Sequence, residues 1–444
     1  MFEGLLGKSP RVRMPPSPTG NIHIGNIRTC LFNSLFARKH GGVTILRIED
    51  TDRARSRPEF EQNIIESLTW LGIGWDEFYR QSERLETHQR ALKKLIDADK
   101  AYISKEASKM NEGEMAEVIR LRNPGTTITF NDIVRGDVTI DTADLGDFVI
   151  ARSIDDPLYH LAVVVDDGEM GVTHVLRGED HISNTPRQIL LLEALGFERP
   201  IYAHMPLILA PDRSKLSKRH GAVSLSEYKA MGFIPEAINN YLALLGWNPG
   251  TEQEIFSTEE LIDAFTLEKL QKGGAIFDMT RFTWFNREHL KRMPQEEFLS
   301  RLSAFTGTSV DPKLGPLLQE RANTLKEGEA ELLELQFLSA QPIYDAALLV
   351  PKTKSGNETK ETTRTRLDEV VKLLEPISAS QFTLDAVKEA VWEYAEKEGK
   401  GAVLWPMRVA LTGKEKSPDP FTVAALLGRD ETVSRLKAGS SLLL

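Results

Sequence analysis

The spacing of apolar residues changes twice near the start of the chain, and these changes predict a β-α-β unit. Residues 11–14 form a short strand that enters a proline-rich turn. From Ile24 onward apolar side chains recur at helical spacing, until Gly41 and Gly42 end the helix. Residues 43–48 then alternate as a second strand. Because ligands of such units bind beyond the carboxyl ends of the strands, we expect a site there.

The pattern further along the chain predicts more of this sheet, interrupted by a mixed segment. We predict a helix over 60–71, short strands over 138–140 and 148–150 within a mixed region of about 75–156, a strand over 161–165 that is buried on both faces, a turn at 166–168, a strand over 173–177, a helix over 185–195 and a last strand over 206–210. From about Ser224 the spacing becomes helical and stays so. The predicted fold class is α/β with an α+β insertion, followed by an all-α C-terminal domain.

The composition excludes some classes of protein but does not identify a binding partner. With 444 residues the chain is long enough for about three domains, and no apolar run is long enough to cross a bilayer. The N-terminus has no signal-peptide pattern, so we expect a cytoplasmic protein. A formal charge of −10 does not point to nucleic acid, although one basic face would suffice to bind it. The single cysteine, Cys30, excludes an intrachain disulfide and is expected to be a small buried apolar residue.

Two short motifs far apart in the chain predict an ATP site. The first, Ser17-Pro-Thr-Gly-Asn-Ile-His-Ile-Gly-Asn26, places His23 and backbone N–H groups at a helix start, where phosphates bind. The second, Lys215-Leu-Ser-Lys-Arg219, carries two lysines three residues apart. Together the motifs supply hydrogen-bond donors and mobile positive charge, which a reaction that builds charge on phosphate oxygens requires.

Four motifs, in this order, resemble those of the bacterial-type glutamyl-tRNA synthetases, a family of class I aminoacyl-tRNA synthetases. They are Pro15-Pro-Ser-Pro-Thr-Gly with His23-Ile-Gly-Asn, Arg47-Ile-Glu-Asp-Thr-Asp-Arg-Ala-Arg55, Val164-Val-Asp-Asp with Thr173-His-Val-Leu-Arg-Gly-Glu-Asp-His181, and Lys215-Leu-Ser-Lys-Arg. Residues 405–413, followed by Ser417-Pro, are similar to the end of that family's anticodon-binding domain. The resemblance covers nearly the whole chain.

The resemblance implies a Rossmann-type parallel-sheet catalytic domain in two halves and a helical tail. The expected boundaries are 1–75 and 157–223 for the catalytic halves, 76–156 for an acceptor-binding insertion, 224–293 for a stem-contact region and 294–444 for an anticodon-binding domain. The implied activity is that of a glutamate–tRNA ligase, which activates L-glutamate with ATP to glutamyl-adenylate and transfers it to the 3′ end of tRNA(Glu). Whether tRNA(Gln) is an acceptor in addition or instead stays open. We expect a monomer.

For the ATP site the resemblance implies a set of residues from both motifs. His23, Asn26, Lys215 and Lys218 are expected to act on the phosphates, with Mg²⁺ bridging phosphate oxygens and no metal ligand from the protein. The other expected ATP contacts are Gly25, Asp180 at the ribose, Ile208 through its backbone at adenine, Ser217 and Arg219.

For glutamate the resemblance implies two positive groups, one negative group and two hydrogen-bonding side chains. They are Arg13 and Arg177 for the carboxylates, Glu49 for the ammonium group, and Ser17 and Tyr159 for hydrogen bonds. An arginine fork pairs with a carboxylate and rejects uncharged glutamine, which cannot form that pair. A structural ion pair between Glu49 and Arg177 is the competing interpretation of those two residues.

Two departures from the family pattern affect the prediction. Asn26 stands where the strict signature has a second histidine; asparagine still donates to a phosphate oxygen but carries no charge, and we expect activity to survive. Residues 101–104 contain no cysteine at the place where some relatives hold zinc, so we expect no zinc. Arg55 lies in a charge cluster that is otherwise read as a solvated surface, and the resemblance places it near the tRNA acceptor end.

Four other functions stay open from the sequence. A relative that attaches glutamate to a modified tRNA base lacks the C-terminal domain, which this chain keeps. A glutaminyl enzyme fits the helical tail and the turn at Ser17 less well. A non-catalytic tRNA-binding paralogue would not need His23, Glu49 or Arg177. A small-molecule nucleotidyltransferase would leave more than half of the chain without a purpose, and ATP binding that does not respond to tRNA would favour it.

Overall fold

The chain divides into two units, residues 1–292 and 293–444, in the computed structural model. The structure describes residues 9–107, 115–217, 224–352 and 358–444. In these parts of the chain, every helix falls short of the length or the apolar character that a membrane span needs.

The first unit begins with the predicted β-α-β unit, which the structure confirms. Its elements are β1 (Arg11–Met14), α1 (Ile24–Lys39), β2 (Val43–Ile48), α2 (Pro58–Trp70) and β3 (Glu77–Arg80). The three strands pair in parallel in the order β1-β2-β3, so this sheet continues past residue 76. A Cβ at Gly42 would lie 2.2 Å from the carbonyl oxygen of Pro10, and only glycine lets the chain enter β2 so close to β1.

In its described residues, the mixed segment contains one α-helix and a set of mostly antiparallel strands. Its elements are α3 (Leu85–Asp97), β4 (Ala101–Ala107), β5 (Met115–Leu121), β6 (Thr127–Asp132), β7 (Gly136–Asp141), β8 (Phe148–Ser153) and β9 (Asp156–Pro157). Strands β4, β5, β8 and β9 form one antiparallel sheet, and β6 and β7 form a hairpin. The predicted strands over 138–140 and 148–150 are confirmed within β7 and β8.

The prediction of a strand over 161–165 and a turn at 166–168 is wrong. Residues 159–169 form a helix, α4 (Tyr159–Glu169), and the turn follows at Gly171, which has a φ of +64°. Each residue of 161–165 is at most 2% exposed. A helix that is buried all round shows the same continuous apolar run as a strand buried on both faces, so periodicity does not distinguish them.

A second group of parallel strands completes the sheet region. It contains β10 (His174–Gly178), α5 (Thr185–Leu195), β11 (Ile201–Met205) and β12 (Ile208–Leu209). The order is β10-β11-β6-β7, so the hairpin of the mixed segment extends this sheet through β6. Beside β1, the N–H of Thr173 donates to the carbonyl of Arg11 at 3.0 Å. The strand over 173–177 and the helix over 185–195 are confirmed, β11 was not predicted, and the last strand is shorter than expected.

The remainder of the first unit is helical, as predicted, except for one short strand. Its elements are α6 (Leu225–Ala230), α7 (Pro235–Leu244), α8 (Thr258–Ala264), β13 (Ala275–Ile276) and α9 (Met279–Arg292). Strand β13 pairs in parallel with β12. One apolar core joins α1 and its strands to α6, α7 and α9, and a second surrounds α4 and α5.

The second unit is all-α in the residues that the structure describes, as predicted. Its helices are α10 (Gln295–Thr306), α11 (Gly315–Arg321), α12 (Leu325–Glu334), α13 (Lys360–Leu374), α14 (Leu384–Glu398), α15 (Lys400–Thr412), α16 (Pro420–Leu427) and α17 (Arg429–Ser441). Helices α13 to α17 share an apolar core of their own. Arg435 is buried in this unit, where it donates to the carbonyls of Phe337 and Leu411 at 2.8 Å.

Candidate functional site

Two adjoining cavities open beyond the carboxyl ends of β1 and β10. One has a volume of about 440 Å³ and the other of about 480 Å³. His23, Asn26, Arg177 and His181 line both of them. A ligand in one cavity can therefore touch a ligand in the other, as two substrates that react with each other must.

The smaller cavity contains the residues that the two motifs predicted for ATP. Seven predicted residues line it: His23, Gly25, Asn26, Asp180, Ile208, Lys215 and Ser217. The remaining two, Lys218 and Arg219, lie outside the described residues. The structure thus brings the start of α1 and the segment after β12 to one cavity.

His23 precedes α1 and has a defined protonation state. Its Nδ1 accepts a hydrogen bond from the N–H of Gly25 at 3.1 Å. Desolvation, and then the charge of Lys215, lowers the pKa of His23, so the ring is neutral at neutral pH. The proton of the neutral ring is on Nε2, which can donate to an anion at the helix N-terminus.

Lys215 and Asp180 form an ion pair at this cavity, with 2.9 Å between the ammonium nitrogen and a carboxylate oxygen. Burial alone would raise the pKa of Asp180, but the hydrogen bond from Lys215 holds it below its usual value. Both side chains keep substantial exposure, at 61% for Lys215 and 41% for Asp180. The pair can therefore open toward an incoming ligand at small cost.

A buried arginine that the sequence did not indicate holds the wall of the smaller cavity near β12. Arg28 on α1 donates to the carbonyl of Leu245 at 2.6 Å and to that of Pro206. Burial lowers the pKa of Arg28 to about 10, which leaves it charged at neutral pH. The carbonyl of Ile208 accepts from the N–H of Leu216 at 3.0 Å.

Cys30 on α1 is 2% exposed, and burial raises its pKa to about 12, as expected for an inert thiol.

The larger cavity contains the residues that were predicted for glutamate. All five line it: Arg13, Ser17, Glu49, Tyr159 and Arg177. They come from β1, the turn after it, the end of β2, α4 and β10. The cavity therefore holds cationic and anionic groups side by side, as binding of an amino acid with two carboxylates requires.

Asp167 on α4 links Arg13, which lines the larger cavity, to Arg47, which contacts Glu49 of the same cavity. It accepts from Nε of Arg13 at 3.3 Å and from Nη1 of Arg47 at 2.7 Å. Arg47 also donates to Glu49 at 3.0 Å. Burial raises the pKa of Glu49, with Arg47 and Arg13 opposing that effect. Burial would also raise the pKa of Asp167, but Arg13 and Arg47 hold it below its usual value.

Arg177 has neutral partners, and the alternative of an ion pair between it and Glu49 is wrong. Glu49 pairs with Arg47 instead. The guanidinium of Arg177 donates to His204, Gln188 and Thr185 at 3.0, 2.7 and 2.9 Å. Because none of these partners carries a negative charge, the positive charge of Arg177 is not neutralised by them.

Tyr159 and His181 form a polar contact where the two cavities meet. The hydroxyl of Tyr159 lies 3.2 Å from Nδ1 of His181. Burial, and then the charge of Arg177, lowers the pKa of His181 to about 4, so its ring is neutral. Burial raises the pKa of Tyr159, which keeps its hydroxyl protonated.

Arg55 lies outside both cavities, on the exposed surface. It pairs with Asp52 at 2.6 Å, and its side chain is 73% exposed. It is accessible to a macromolecular ligand but has no contact with the substrate cavities.

Sequence reasoning missed four residues that contact one another or the residues lining the larger cavity. They are Asp132, Asp167, His181 and His204. Asp167 and His181 stand inside motifs that carried the resemblance, so their presence there was an available signal. Asp132 and His204 had no such signal, because only strand pairing brings them to Arg177.

Within residues 9–107, 115–217, 224–352 and 358–444, no three His, Cys, Asp or Glu side chains gather closely enough to hold a metal ion.

Comparison with known sequence families matches nearly the whole chain. The family described as "tRNA synthetases class I (E and Q), catalytic domain" matches residues 10–113 and 103–284. An "Anticodon binding domain" family matches residues 266–440.

Individual relatives agree with these families. The chain is 40% identical to a glutamate–tRNA ligase of Carboxydothermus hydrogenoformans, with 96% of this chain and 98% of that protein covered. It is 41% identical to a glutamate–tRNA ligase of a Synechococcus species, with 95% and 96% covered. Among solved structures, it is similar to a glutamate tRNA ligase from Elizabethkingia meningosepticum in complex with its amino acid. That match has a TM-score of 0.85 and 30% identity, and it covers 98% of this chain and 100% of the other.

Proposed function

This chain belongs to the glutamate–tRNA ligase family of the class I tRNA synthetases, and from that premise we propose how its residues divide the reaction. The activity of the chain is ATP-dependent ligation of glutamate to tRNA. In the first step the α-carboxylate of glutamate attacks the α-phosphorus of ATP, and pyrophosphate leaves. In the second step a hydroxyl of the 3′-terminal ribose of tRNA attacks the carbonyl of glutamyl-adenylate, the glutamyl ester forms and AMP leaves. Neither step needs a nucleophile from the protein.

The observation that supports these roles best is the meeting of the two cavities at Arg177, His23 and Asn26. A carboxylate held by Arg177 in the larger cavity lies next to the space for phosphates in the smaller one. Positioning of this kind supplies much of the rate of a reaction that uses no protein nucleophile.

We assign the phosphates to the N-terminus of α1 and to the lysine motif. Nε2–H of His23 and the side-chain amide of Asn26 donate to phosphate oxygens, and Lys215 leaves Asp180 to neutralise the developing charge. Lys218 is assigned the same task on its motif alone. Once Lys215 has moved, Asp180 is available to a ribose hydroxyl.

We assign glutamate to the larger cavity by charge. Arg13 and Arg177 bind the two carboxylates, and Glu49 binds the ammonium group. Ser17 and Tyr159 add hydrogen bonds. Glutamine, which lacks one carboxylate, would leave an arginine without its partner in a buried site, which disfavours its binding.

Mg²⁺ would enter with the phosphates of ATP and stabilise their charge. Among the described residues that line the smaller cavity, Asp180 is the carboxylate, and we assign it to the ribose once Lys215 has moved. This donor set fits a metal ion that is coordinated by ATP oxygens and water rather than by the protein. We further propose that no zinc is used, that the protein acts as a cytoplasmic monomer, and that Arg55 lies near the acceptor end of tRNA.

Which tRNA is charged can be tested directly. Labelled glutamate, ATP and Mg²⁺ are incubated with the protein and either purified tRNA(Glu) or purified tRNA(Gln), and glutamine serves as the control amino acid. We expect charging of tRNA(Glu) with glutamate and none with glutamine. Charging of both tRNAs would establish a non-discriminating enzyme, and charging of tRNA(Gln) alone a specialised one. No charging of either would contradict the proposed residue roles, with Asn26 the first residue to examine.

A further inference from the structure

Side chains from three neighbouring strands form a hydrogen-bonded row that ends at Arg177. Arg177 on β10 and His204 on β11 are register partners in a parallel pair, so both side chains lie on the same face of the sheet. Asp132 ends β6, the next strand. Nε of Arg177 lies 3.0 Å from Nε2 of His204, and Nδ1 of His204 lies 2.6 Å from a carboxylate oxygen of Asp132. His204 is 0% exposed and Asp132 1%.

The donor and acceptor types in this row determine the tautomer of His204. Arginine Nε can only donate, so Nε2 of His204 must accept. The single proton of the neutral ring is therefore on Nδ1, from which it donates to Asp132. Burial lowers the pKa of His204, which agrees with a neutral ring. Burial alone would raise the pKa of Asp132, but the hydrogen bond from His204 holds it below its usual value, so the carboxylate is ionised.

The far end of the row is anchored to the backbone. One carboxylate oxygen of Asp132 accepts from the N–H groups of Val134 and Arg135, both at 2.9 Å. The other accepts from the N–H of His204 at 3.0 Å. The ring of Tyr202 stacks beside His204 with 6.1 Å between centroids. These contacts leave the imidazole little freedom to rotate.

The near end of the row leaves Arg177 with unused donors. A guanidinium has five N–H groups. His204, Gln188 and Thr185 each accept from Arg177. Two N–H groups then remain, which is the number that a bidentate carboxylate accepts. The side chain lines both substrate cavities, so those donors have access to a ligand.

We propose that His204, held as the Nδ1–H tautomer by Asp132, is a positioning residue that orients the Arg177 guanidinium for binding a glutamate carboxylate. This inference rests on the proposed role of Arg177. A protonated His204 would direct an N–H at the N–H of Arg177 and break the row. The charged groups that act on His204 are Asp132, Arg177 and, more weakly, Arg13.

A matched pair of variants separates the two sides of the imidazole. The amide of asparagine takes the place of Nδ1, so His204→Asn keeps the donor to Asp132 and withdraws the acceptor from Arg177. The amide of glutamine takes the place of Nε2, so His204→Gln keeps that acceptor. In aminoacylation with saturating tRNA, we expect His204→Asn to raise the KM for glutamate about 10- to 100-fold, as for loss of a hydrogen bond to a charged group. We expect kcat and the KM for ATP to change less than about 2-fold and His204→Gln to restore the KM for glutamate to within about 5-fold of the unmodified chain.

A variant of Arg177 distinguishes failure of this inference from failure of the proposed function. Arg177→Gln is expected to raise the KM for glutamate more than about 100-fold, and adding His204→Asn to it should change the KM less than about 2-fold further. An unchanged KM in Arg177→Gln would overturn the role of Arg177 itself. An impaired Arg177→Gln together with an unaffected His204→Asn, or with additive effects in the double variant, would overturn only the positioning role of His204.

The tautomer can be measured in the unmodified chain, so the inference remains testable even where His204→Asn does not fold. The chain is labelled with ¹⁵N-histidine, and the His204 signals are those that disappear in His204→Gln. At pH 7.5 we expect the two-bond proton–nitrogen couplings of a neutral Nδ1–H ring. A Nε2–H ring, or exchange between the two tautomers, would overturn the inference.

Discussion

At the scale of single residues, one buried acid, Asp167, holds two arginines at the larger cavity in place. Asp167 contacts both Arg13 and Arg47, and Arg47 in turn holds Glu49. The side chain of Asp167 is 11% exposed and that of Arg47 is 0% exposed, so water cannot replace a lost partner. One carboxylate thus determines the positions of a cation and, through Arg47, of an anion that are assigned to the substrate.

Asp167→Asn tests this dependence. The amide keeps the shape of the side chain but loses the charge, so Arg13 loses its ionic partner and Arg47 keeps only Glu49. We expect the KM for glutamate to rise at least about 10-fold and the free energy of unfolding to fall by about 3 to 5 kcal/mol, as for a broken buried ion pair. Steady-state kinetics and urea unfolding measure the two effects.

Asp166→Asn is the matched control. Asp166 is also buried on the same helix, but it contacts Gln81, Arg84 and His88 instead of Arg13, which lines the larger cavity. This change should lower stability without raising the KM for glutamate more than about 2-fold. Equal effects on the KM in the two variants would show that Asp167 acts only through general stability.

The residues most open to prediction from sequence were those inside the motifs. Glu49 and Arg177, which stand inside motifs, and Arg13, which stands just before the first motif, were expected together from the family resemblance, and the structure puts all three on one cavity. Their partners could not be found in that way. Asp132 and His204 are 72 positions apart, and only the pairing of β6 with β11 brings them into contact.

At the scale of elements, α4 shows where the apolar pattern is ambiguous. Its interior has consecutive valines, which favour strands, and it ends with Asp166-Asp-Gly168, which is typical of a turn. In the structure Gly168 is helical, and the ring of Phe197 lies directly against it. A Cβ at Gly168 would lie 2.5 Å from two ring carbons of Phe197. The glycine marks a close approach between α4 and the end of α5, which cannot be seen in one sequence.

Gly168→Ala is therefore expected to destabilise the protein although alanine is the better helix former. We expect the free energy of unfolding to fall by about 1 to 3 kcal/mol, as for an overpacked core. The double change Gly168→Ala with Phe197→Leu should recover most of this loss when compared with Phe197→Leu alone. Thermal and urea unfolding of the four proteins measure the effect. A stabilised single variant would show that the ring moves aside at no cost.

At the scale of the whole molecule, histidine is confined to one unit. All nine histidines of the sequence precede residue 293. Burial lowers the pKa to about 4 at His160, His174, His181 and His289. An unfolded histidine has a pKa near 6.5, so the unfolded state takes up protons first as the pH falls. These groups therefore destabilise the first unit progressively between about pH 6.5 and pH 4.

Mild acid is thus expected to weaken the two units unequally. Hydrogen exchange followed by mass spectrometry, corrected for the pH dependence of the intrinsic rates, is compared at pH 7.5 and pH 5. Protection of core peptides from residues 9–292 should fall by about 2 kcal/mol for each of the four histidines, because pH 5 lies about 1.5 units below their unfolded pKa and each unit is worth about 1.4 kcal/mol, and protection of residues 293–444 should change much less. One buried carboxylate, Glu49, has a raised pKa and opposes this loss, because the folded state takes up that proton first as the pH falls. Asp132, Asp166 and Asp167 have lowered pKa values, so the stability that they contribute is lost only below about pH 4. Equal losses in the two units would contradict the assignment to histidine.

The pairing of β6 with β11 limits which segments of this chain can be exchanged with those of its relatives. Asp132 lies within residues 76–156, the segment expected to be an insertion with a separate task, yet its carboxylate contacts His204 of the catalytic sheet. This segment therefore cannot be exchanged as an independent unit. We expect a chimera that exchanges residues 76–156 to keep its recognition of glutamate only if the new segment carries an acid at the position of Asp132.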